Sequence, residues 1–535
     1  VSAGSGNVTF TGIVGGATDG ALGALTVNST GTSTFSAAVT AASVTTNAGG
    51  TVALNGATVT TTGAQTYNDA VVLGADTTLA ATTATFKDTV TGAYGLTITG
   101  NAVFGDATAD TVTLTGTNKA LSVSGTSTIN ANITTSGGQT YTGATTVGAT
   151  LTLSASSITT GSTLAASGNA LTLTTDAISL GGALSGSGAL VIQPKTASTT
   201  VAIGSDATGA LKLDDTEISY LSNGFSSIAI GSTAGTGAIA VNFTSVPTFA
   251  DNLTIRSLNG AITASDTVDT ATNTLTITSG GAVSVAGITS GTLAITGTDI
   301  TLNGDITTSG TQTYTGAVTL GAAVNTSSKG ASSTGNAINF GSTINGAQAF
   351  TVDAGVGAIT FSNALGNSTG LASIALTTTH ATGITLTGNV TTTGTQTYTG
   401  AVRLAANTTL TTTNSNVGFG GTLNSDATTR TLNIAAGSGA VTFTGAVGGS
   451  AALGETARTA ATTTNSSTWV GNSTLPITGN AVVNGAISGI TTLSISGASR
   501  IAANITRSSN QAYTGAVTIT GSAVNLISGT AGTVL

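Results

Sequence analysis

The chain contains no cysteine and no methionine in 535 residues, and only one tryptophan, one histidine and three prolines. Without cysteine there is no disulfide framework, no thiolate chemistry and no cysteine-based metal site. A lone His380, between Thr379 and Ala381, makes neither a catalytic triad nor a multi-histidine metal centre. Charge is also scarce, at 6% of residues against roughly 25% in ordinary soluble domains. The net charge of −8 comes from thinly spread acids and argues against nucleic acid as a partner. No apolar run approaches the roughly 18 residues of a membrane helix, so no membrane span is expected in this segment. The absence of methionine, the start at Val1 and the Gly532-Thr-Val-Leu535 end in mid-pattern suggest a processed chain or a section of a longer one.

What is present is Gly, Ala, Thr, Ser and Val in short alternating patterns. Hydrophobic residues make up 39% of the chain, so there is material to bury. Gly and Thr are too frequent for long helices, and Thr and Val favour a pleated surface. The recurring short unit is a strand of two or three apolar residues alternating with Thr or Ser and closed by Gly. Leu96-Thr-Ile98, Val112-Thr-Leu114, Leu275-Thr-Ile277, Leu293-Ala-Ile295, Ile384-Thr-Leu386 and Leu493-Ser-Ile495 are examples. One face of such a strand is buried and the other is wet.

Longer motifs also repeat. Gln312-Thr-Tyr-Thr-Gly316-Ala-Val-Thr-Leu320 returns as Gln396-Thr-Tyr-Thr-Gly400-Ala-Val-Arg-Leu404, with looser copies at Gln65-Thr-Tyr67, Gln139-Thr-Tyr141 and Gln511-Ala-Tyr513. An opener, Ala3-Gly-Ser-Gly-Asn-Val-Thr-Phe10, matches Ala436-Gly-Ser-Gly-Ala-Val-Thr-Phe443 and, more weakly, Ala354-Gly-Val-Gly-Ala-Ile-Thr-Phe361. The gaps from opener to the next Gln–Tyr motif are 62, 42 and 75 residues. The first two differ by one turn of a parallel β-helix, if a turn takes roughly 20 residues. The third suggests an inserted loop over 450–472, with Trp469 inside it. Repeats of this kind point to an all-β parallel β-solenoid of stacked coils, on the order of 27 of them, forming an elongated rod. The expected core is a narrow column of Val, Ile, Leu and Ala, with Tyr and Phe in the wider corners. The five motif tyrosines, Tyr67, Tyr141, Tyr314, Tyr398 and Tyr513, are expected at equivalent places in their coils. Residues 1–535 read as one continuous solenoid, with sub-modules 1–148, 149–321, 322–435 and 436–535.

The middle differs. Asp214-Asp-Thr-Glu217-Ile-Ser-Tyr220 leads into Phe225, Ile228-Ala-Ile-Gly231, Gly237-Ala-Ile-Ala-Val-Asn-Phe243 and Phe249-Ala-Asp-Asn-Leu-Thr-Ile255. This stretch resembles the strand-turn-strand modules of filamentous-haemagglutinin-like large exoproteins of bacteria. The Gln-Thr-Tyr-Thr-Gly copies resemble the β-strand repeats of the same class of surface adhesins. The resemblance implies a right-handed parallel β-helix, export to the cell surface, and adhesive or structural use.

No catalytic, cofactor-binding or metal-binding residue emerges. Asp214, Asp215 and Glu217, with Lys212 beside them, form the densest acidic cluster. A calcium site needs 6–8 oxygen ligands, and a solvated turn with a local ion pair explains these acids with less. Asp106 with Asp110, and Asp266 with Asp269, are the other close acidic pairs. Carbohydrate-active β-helix enzymes need clustered carboxylates or a base in a cleft, and no such set is visible. Asn-x-Thr/Ser triplets at Asn7, Asn28, Asn132, Asn242, Asn252, Asn325, Asn367, Asn389, Asn407, Asn465, Asn472 and Asn504 read as turn residues whose amides stack coil on coil. Files of Thr hydroxyls order water in solenoid ice-binding proteins, yet Thr-x-Thr is also the plain signature of a wet β-face.

The sequence therefore leads to a non-enzymatic, extracellular or bacterial cell-surface fibre protein without cofactors. It would be the shaft of a large adhesin-like exoprotein or, alternatively, a filament, sheath or surface-layer subunit. Its expected partners are further β-helix modules or identical subunits end to end, and a host or neighbouring-cell surface or polysaccharide. Neither end carries a polar cap, since Asp19 is the first charge and Arg507 the last, so end-to-end association is expected.

Overall fold

The short alternating strands become parallel ladders. The computed structural model describes residues 1–16, 20–107, 109–330 and 334–529; Asp19 and the Gly532-Thr-Val-Leu535 end lie outside them. The chain divides into two compact units, Val1–Thr263 and Ala264–Leu535. Each is a parallel β-solenoid, and the described strands make about 25 turns in all. Among the described residues the one helix is Asp215–Ser219, and no helix is long and apolar enough to cross a membrane.

A coil has three strands. In the first unit, Leu121–Val123, Ser127–Ile129 and Asn132–Thr135 form one coil. Gln139–Tyr141, Thr145–Val147 and Leu151–Ala155 form the next, each in register on the strand below. Leu121, Gln139, Ile158 and Ile178 follow one another in one file at spacings of 18, 19 and 20 residues. In the second unit Ile338, Ile359, Ile384, Val402 and Leu423 do the same at 21, 25, 18 and 21. Inward positions are apolar and buried, as at Leu96, Ile98, Val112, Leu114, Leu293 and Ile295. Burying each such side chain is worth about 1.5–3 kcal/mol, which offsets the cost of ordering its strand.

Phe225, Phe243 and Phe249 are buried outside the strands, but the stacked aromatic residues do not sit in corners. They lie in the strand files and stack face to face, because parallel register puts like on like. Tyr67, Phe86 and Phe104 form one stack, with ring centroids 5.3 and 5.5 Å apart. Tyr314, Phe340 and Phe361 form another at 4.6 and 5.3 Å, and Tyr398, Phe419 and Phe443 a third at 4.9 and 5.1 Å. These spacings are close to the strand separation of about 4.8 Å that the ladders impose.

The repeated motifs are local devices. In all three opener copies the second residue is a glycine in the left-handed region, at φ 57, 57 and 58° for Gly4, Gly355 and Gly437. The same turn bond follows each time, Gly6, Gly357 and Gly439 donating to Ala3, Ala354 and Ala436. The motifs do not, however, keep to one face. Tyr314 stands in the file Ile295–Tyr314–Phe340–Phe361. Tyr398 stands in Val352–Leu376–Tyr398–Phe419, and Tyr513 in Ile477–Ile495–Tyr513. These are the three different sides of the coil. Tyr67 and Tyr141 likewise occupy the second and first strands of theirs. The expectation of equivalent coil positions is therefore overturned. The strands between successive motifs do not number a multiple of three, so the motif lands on a new side each time.

The inserted loop expected over 450–472 is not a loop either. Thr456–Asn465 is a ten-residue strand seated on Leu432–Ala435 and Ala440–Phe443 and covered by Leu475–Val483. Trp469–Val470 pairs with Ile487–Ile490, and Trp469 is buried. Alternation was hidden here because the inward residues Thr456, Arg458, Thr463 and Asn465 are polar.

Candidate functional site

The polar side chains that sequence reasoning would send to a site mostly hold backbone. The largest such device is the Gln–Tyr clip. Gln65, Gln139, Gln312 and Gln396 open their strands with the side chain buried. Gln396 Nε2 donates to Val390 O at 3.2 Å and Thr411 O at 2.9 Å. Gln139 repeats this on Ile133 O and Ser154 O, and Gln65 on Val59 O and Ala80 O. The two carbonyls belong to neighbouring coils in the preceding file, so one amide spans the corner and ties two rows. The Tyr hydroxyl two residues on donates to the same Gln Oε1, at 3.0 Å for Tyr67, Tyr141 and Tyr398 and 2.8 Å for Tyr314. Burial pushes these four phenols well above their ordinary range. After the clip, Gly316 and Gly400 turn the corner at φ 138 and 131°. A Cβ there would lie 1.9 Å from Gly297 O or 2.2 Å from Thr378 O.

The acidic cluster is not a solvated turn. Asp214 caps the helix Asp215–Ser219 in a capping box, accepting from Glu217 N at 2.8 Å while Glu217 Oε2 accepts from Asp214 N at 3.1 Å. Glu217 Oε1 accepts from Leu180 N at 2.9 Å. Burial pushes the Glu217 carboxyl up, and these N–H groups partly oppose it. Burial also raises Asp215, but the N–H groups of Ser205, Thr244 and Ser245 outweigh it and its pKa is lowered. Lys212 makes no ion pair with these acids, its Nζ donating instead to Ser205 O at 2.6 Å. The carboxylates are needed because the chain order breaks here. Leu211–Leu213 pairs with the earlier strand Val201–Ile203, which in turn pairs with Ile239–Val241. A helix end and an interrupted ladder leave N–H groups that only side chains reach.

The remaining candidates are structural as well. Asp110 Oδ2 accepts from Asp106 N and Ala107 N, both at 3.0 Å, which closes a turn. Asp269 Oδ1 does the same for Ala271 N at 2.8 Å. His380 lies in a half-buried turn with Nδ1 accepting from Thr382 N at 3.1 Å. Five of the triplet asparagines bond the backbone of the next coil and not a stacked amide. Asn7, Asn132, Asn389, Asn407 and Asn504 each present Oδ1 to a backbone N–H of the next coil, on Thr32, Thr152, Thr409, Thr431 and Asn525 at 2.7–3.0 Å.

One residue that sequence reasoning missed stands apart. Arg458 occupies a file that holds Ile434 below and Ile477 above, and is 2% exposed. Its guanidinium carbon lies 3.9 Å from the Trp469 ring centroid and 4.8 Å from that of Phe443. Nε and Nη2 have no hydrogen-bond partner, and neither have Thr463 Oγ1 and Asn465 Oδ1 in the same coil. Burial pulls the guanidinium down to about 9, which still leaves it charged at neutral pH. The only signal in the sequence was an Arg at an alternating inward position.

Among the described residues, no group of three or more His, Asp or Glu side chains is placed to hold a metal ion. Comparison with protein-family models, with curated proteins and with solved structures yields no match.

Proposed function

We propose that the chain is a non-enzymatic bacterial fibre protein, cell-surface or secreted, forming the shaft or repeat region of a large adhesin-like exoprotein. The observation that carries this reading is where the polar chemistry goes. The buried Gln and Tyr side chains clip coils together, and Asp110, Asp215 and Glu217 satisfy backbone N–H groups. A sequence that spends its few functional groups on backbone in coil after coil is suited to length and rigidity. The test is surface display. Protease treatment of intact cells of the source organism should remove the chain or shorten it. Full protection in intact cells, with digestion only after lysis, would overturn the reading.

A filament, sheath or surface-layer subunit is the second reading. Sedimentation over a wide concentration range separates the two readings, because a subunit adds end to end and a stable monomer does not.

A further inference from the structure

One face of the first unit carries an unbroken file of hydroxyls. Thr58, Thr78, Thr97, Ser122, Thr140, Thr159 and Ser179 follow one another in register, one per coil. All point outward and are exposed or half-buried. At its edge a cleft of about 260 Å³ is lined by Asp76, Thr78, Thr97, Asn118, Lys119 and their neighbours. Asp76 and Lys119 form an ion pair at 2.9 Å, and Asp76 Oδ1 also accepts from Gly95 N at 2.8 Å. The Asp76 side chain remains 66% exposed, so its oxygens have lone pairs to spare. Tyr94, next to the cleft, is 36% exposed with Lys119 Nζ 5.7 Å from its ring centroid. The turn carrying Lys119 is held by the next coil, its N–H donating to Ser136 Oγ at 2.8 Å and its carbonyl accepting from Gly137 N at 2.8 Å.

We propose that this face binds a linear, uncharged polysaccharide, seated in the Asp76–Lys119 cleft and running along the hydroxyl file. Hydroxyls that both donate and accept match the hydroxyls of a sugar ring. Coils about 4.8 Å apart present them at close to the repeat of an extended glycan chain. The ion pair is neutral as a unit, which suits an uncharged ligand, and its carboxylate accepts from ligand hydroxyls. Tyr94 offers an apolar surface to a ring, a half-apolar and half-wet role that suits a tyrosine. A phosphate polymer is disfavoured by the acidic chain. A protein partner would want an apolar centre that this face lacks.

The proposal deepens the surface-fibre reading and rests on it only for where such a polysaccharide would be met. Its test is calorimetric titration of the full chain with cellohexaose, mannohexaose and chitohexaose, with heparin as the charged control. Binding of at least one neutral hexasaccharide is expected, weakened tenfold or more by Tyr94→Ala and by Asp76→Ala. Thr97→Val, which keeps the β-branched shape and removes the hydroxyl, should weaken it about threefold. Thr360→Val, on the second unit, should change nothing. Unaltered circular dichroism checks the fold of each variant. No binding of any neutral hexasaccharide, tighter binding of heparin, or binding indifferent to Tyr94 and Asp76 would overturn the proposal. Such a failure in a chain that protease shaving finds on the cell surface would leave the proposed function standing.

Discussion

Two coils of the second unit bury polar side chains in the same kind of space and treat them in opposite ways. Around Tyr398 the interior holds Gln396, whose amide and carbonyl are both used and whose Tyr partner stacks on Phe419 at 4.9 Å and 7°. Around Trp469 the interior holds Arg458, lodged against two aromatic rings with two nitrogens unpaired. A buried polar group that is fully partnered strengthens a core and fixes its register. One that is not loses its hydration without return. The solenoid thus has a strong joint and a weak one a few coils apart, and the difference lies in hydrogen bonds rather than in apolar packing.

The comparison breaks first at the strong joint. Tyr398→Ala removes a buried ring from an aromatic stack and leaves Gln396 Oε1 without its donor. A loss of about 3–5 kcal/mol is expected, read as a lower denaturant midpoint with local loss of amide protection around 374–419. A loss below 1 kcal/mol would mean that the stack contributes little. Next comes Gln396→Leu, which keeps volume but removes the amide bonds to the Val390 and Thr411 carbonyls and strands the Tyr398 hydroxyl, while Thr411 O keeps the Thr392 N–H. About 1–3 kcal/mol is expected for it, with the loss felt in both coils that the amide ties.

The weak joint should respond with the opposite sign. Arg458→Met keeps the length of the side chain and removes the unpaired charge. Replacing buried charge with apolar volume commonly stabilises by about 1–4 kcal/mol, so a higher midpoint is expected. The pH dependence follows from the folded-state pKa of about 9, lowered by burial from the ordinary value of an arginine. Between these values the unfolded chain binds the extra proton, so wild-type stability rises with pH across that window. The destabilisation is fully present below pH 9 and fades above it. The advantage of Arg458→Met should therefore be constant from pH 6 to 8 and shrink by pH 10. An advantage that grows with pH would refute burial as the cause.

These two joints also mark what the sequence could and could not disclose. Alternating Leu-Thr-Ile runs closed by Gly were enough for parallel ladders, because one buried face and one wet face leave few other solutions. The Gln–Tyr motif was visible as a repeat, and its Tyr-to-Gln bond recurs in all five copies, although the Gln511 amide nitrogen has no partner among the described residues. Its coil position was not legible, because coils of 18 to 25 residues let identical motifs fall on different sides. The loop expected over 450–472 rested on a 75-residue gap between motifs; the strand Thr456–Asn465 inside it was not legible, because a period-two pattern cannot be seen where both faces are polar. Asp215 and Glu217 were visible as an acidic cluster. What they hold, Leu180 N and Thr244 N, lies 37 and 29 residues away, a distance that no local pattern encodes.

The smallest expected effect is the one that separates burial from hydrogen bonding as such. Asn389 Oδ1 accepts from Thr409 N at 2.8 Å, coil to coil, as Gln396 does for its two carbonyls with donor and acceptor exchanged. The asparagine bond is exposed, however, and the glutamine amide is buried. When Asn389 becomes Ala, water reaches the Thr409 N–H and replaces the lost acceptor, so only the net value of an ordinary hydrogen bond should vanish, about 0.5–1.5 kcal/mol. When Gln396 becomes Leu, no water reaches the buried Tyr398 hydroxyl that loses its acceptor, and the desolvation cost stays. The two variants remove the same kind of contact between the same kind of coils, so the ratio of their effects measures the burial term directly. A clearly smaller loss for Asn389→Ala in the same denaturation series is expected. Equal losses would show that the clip matters only for tying coils together, and that the contrast with Arg458 must come from charge alone.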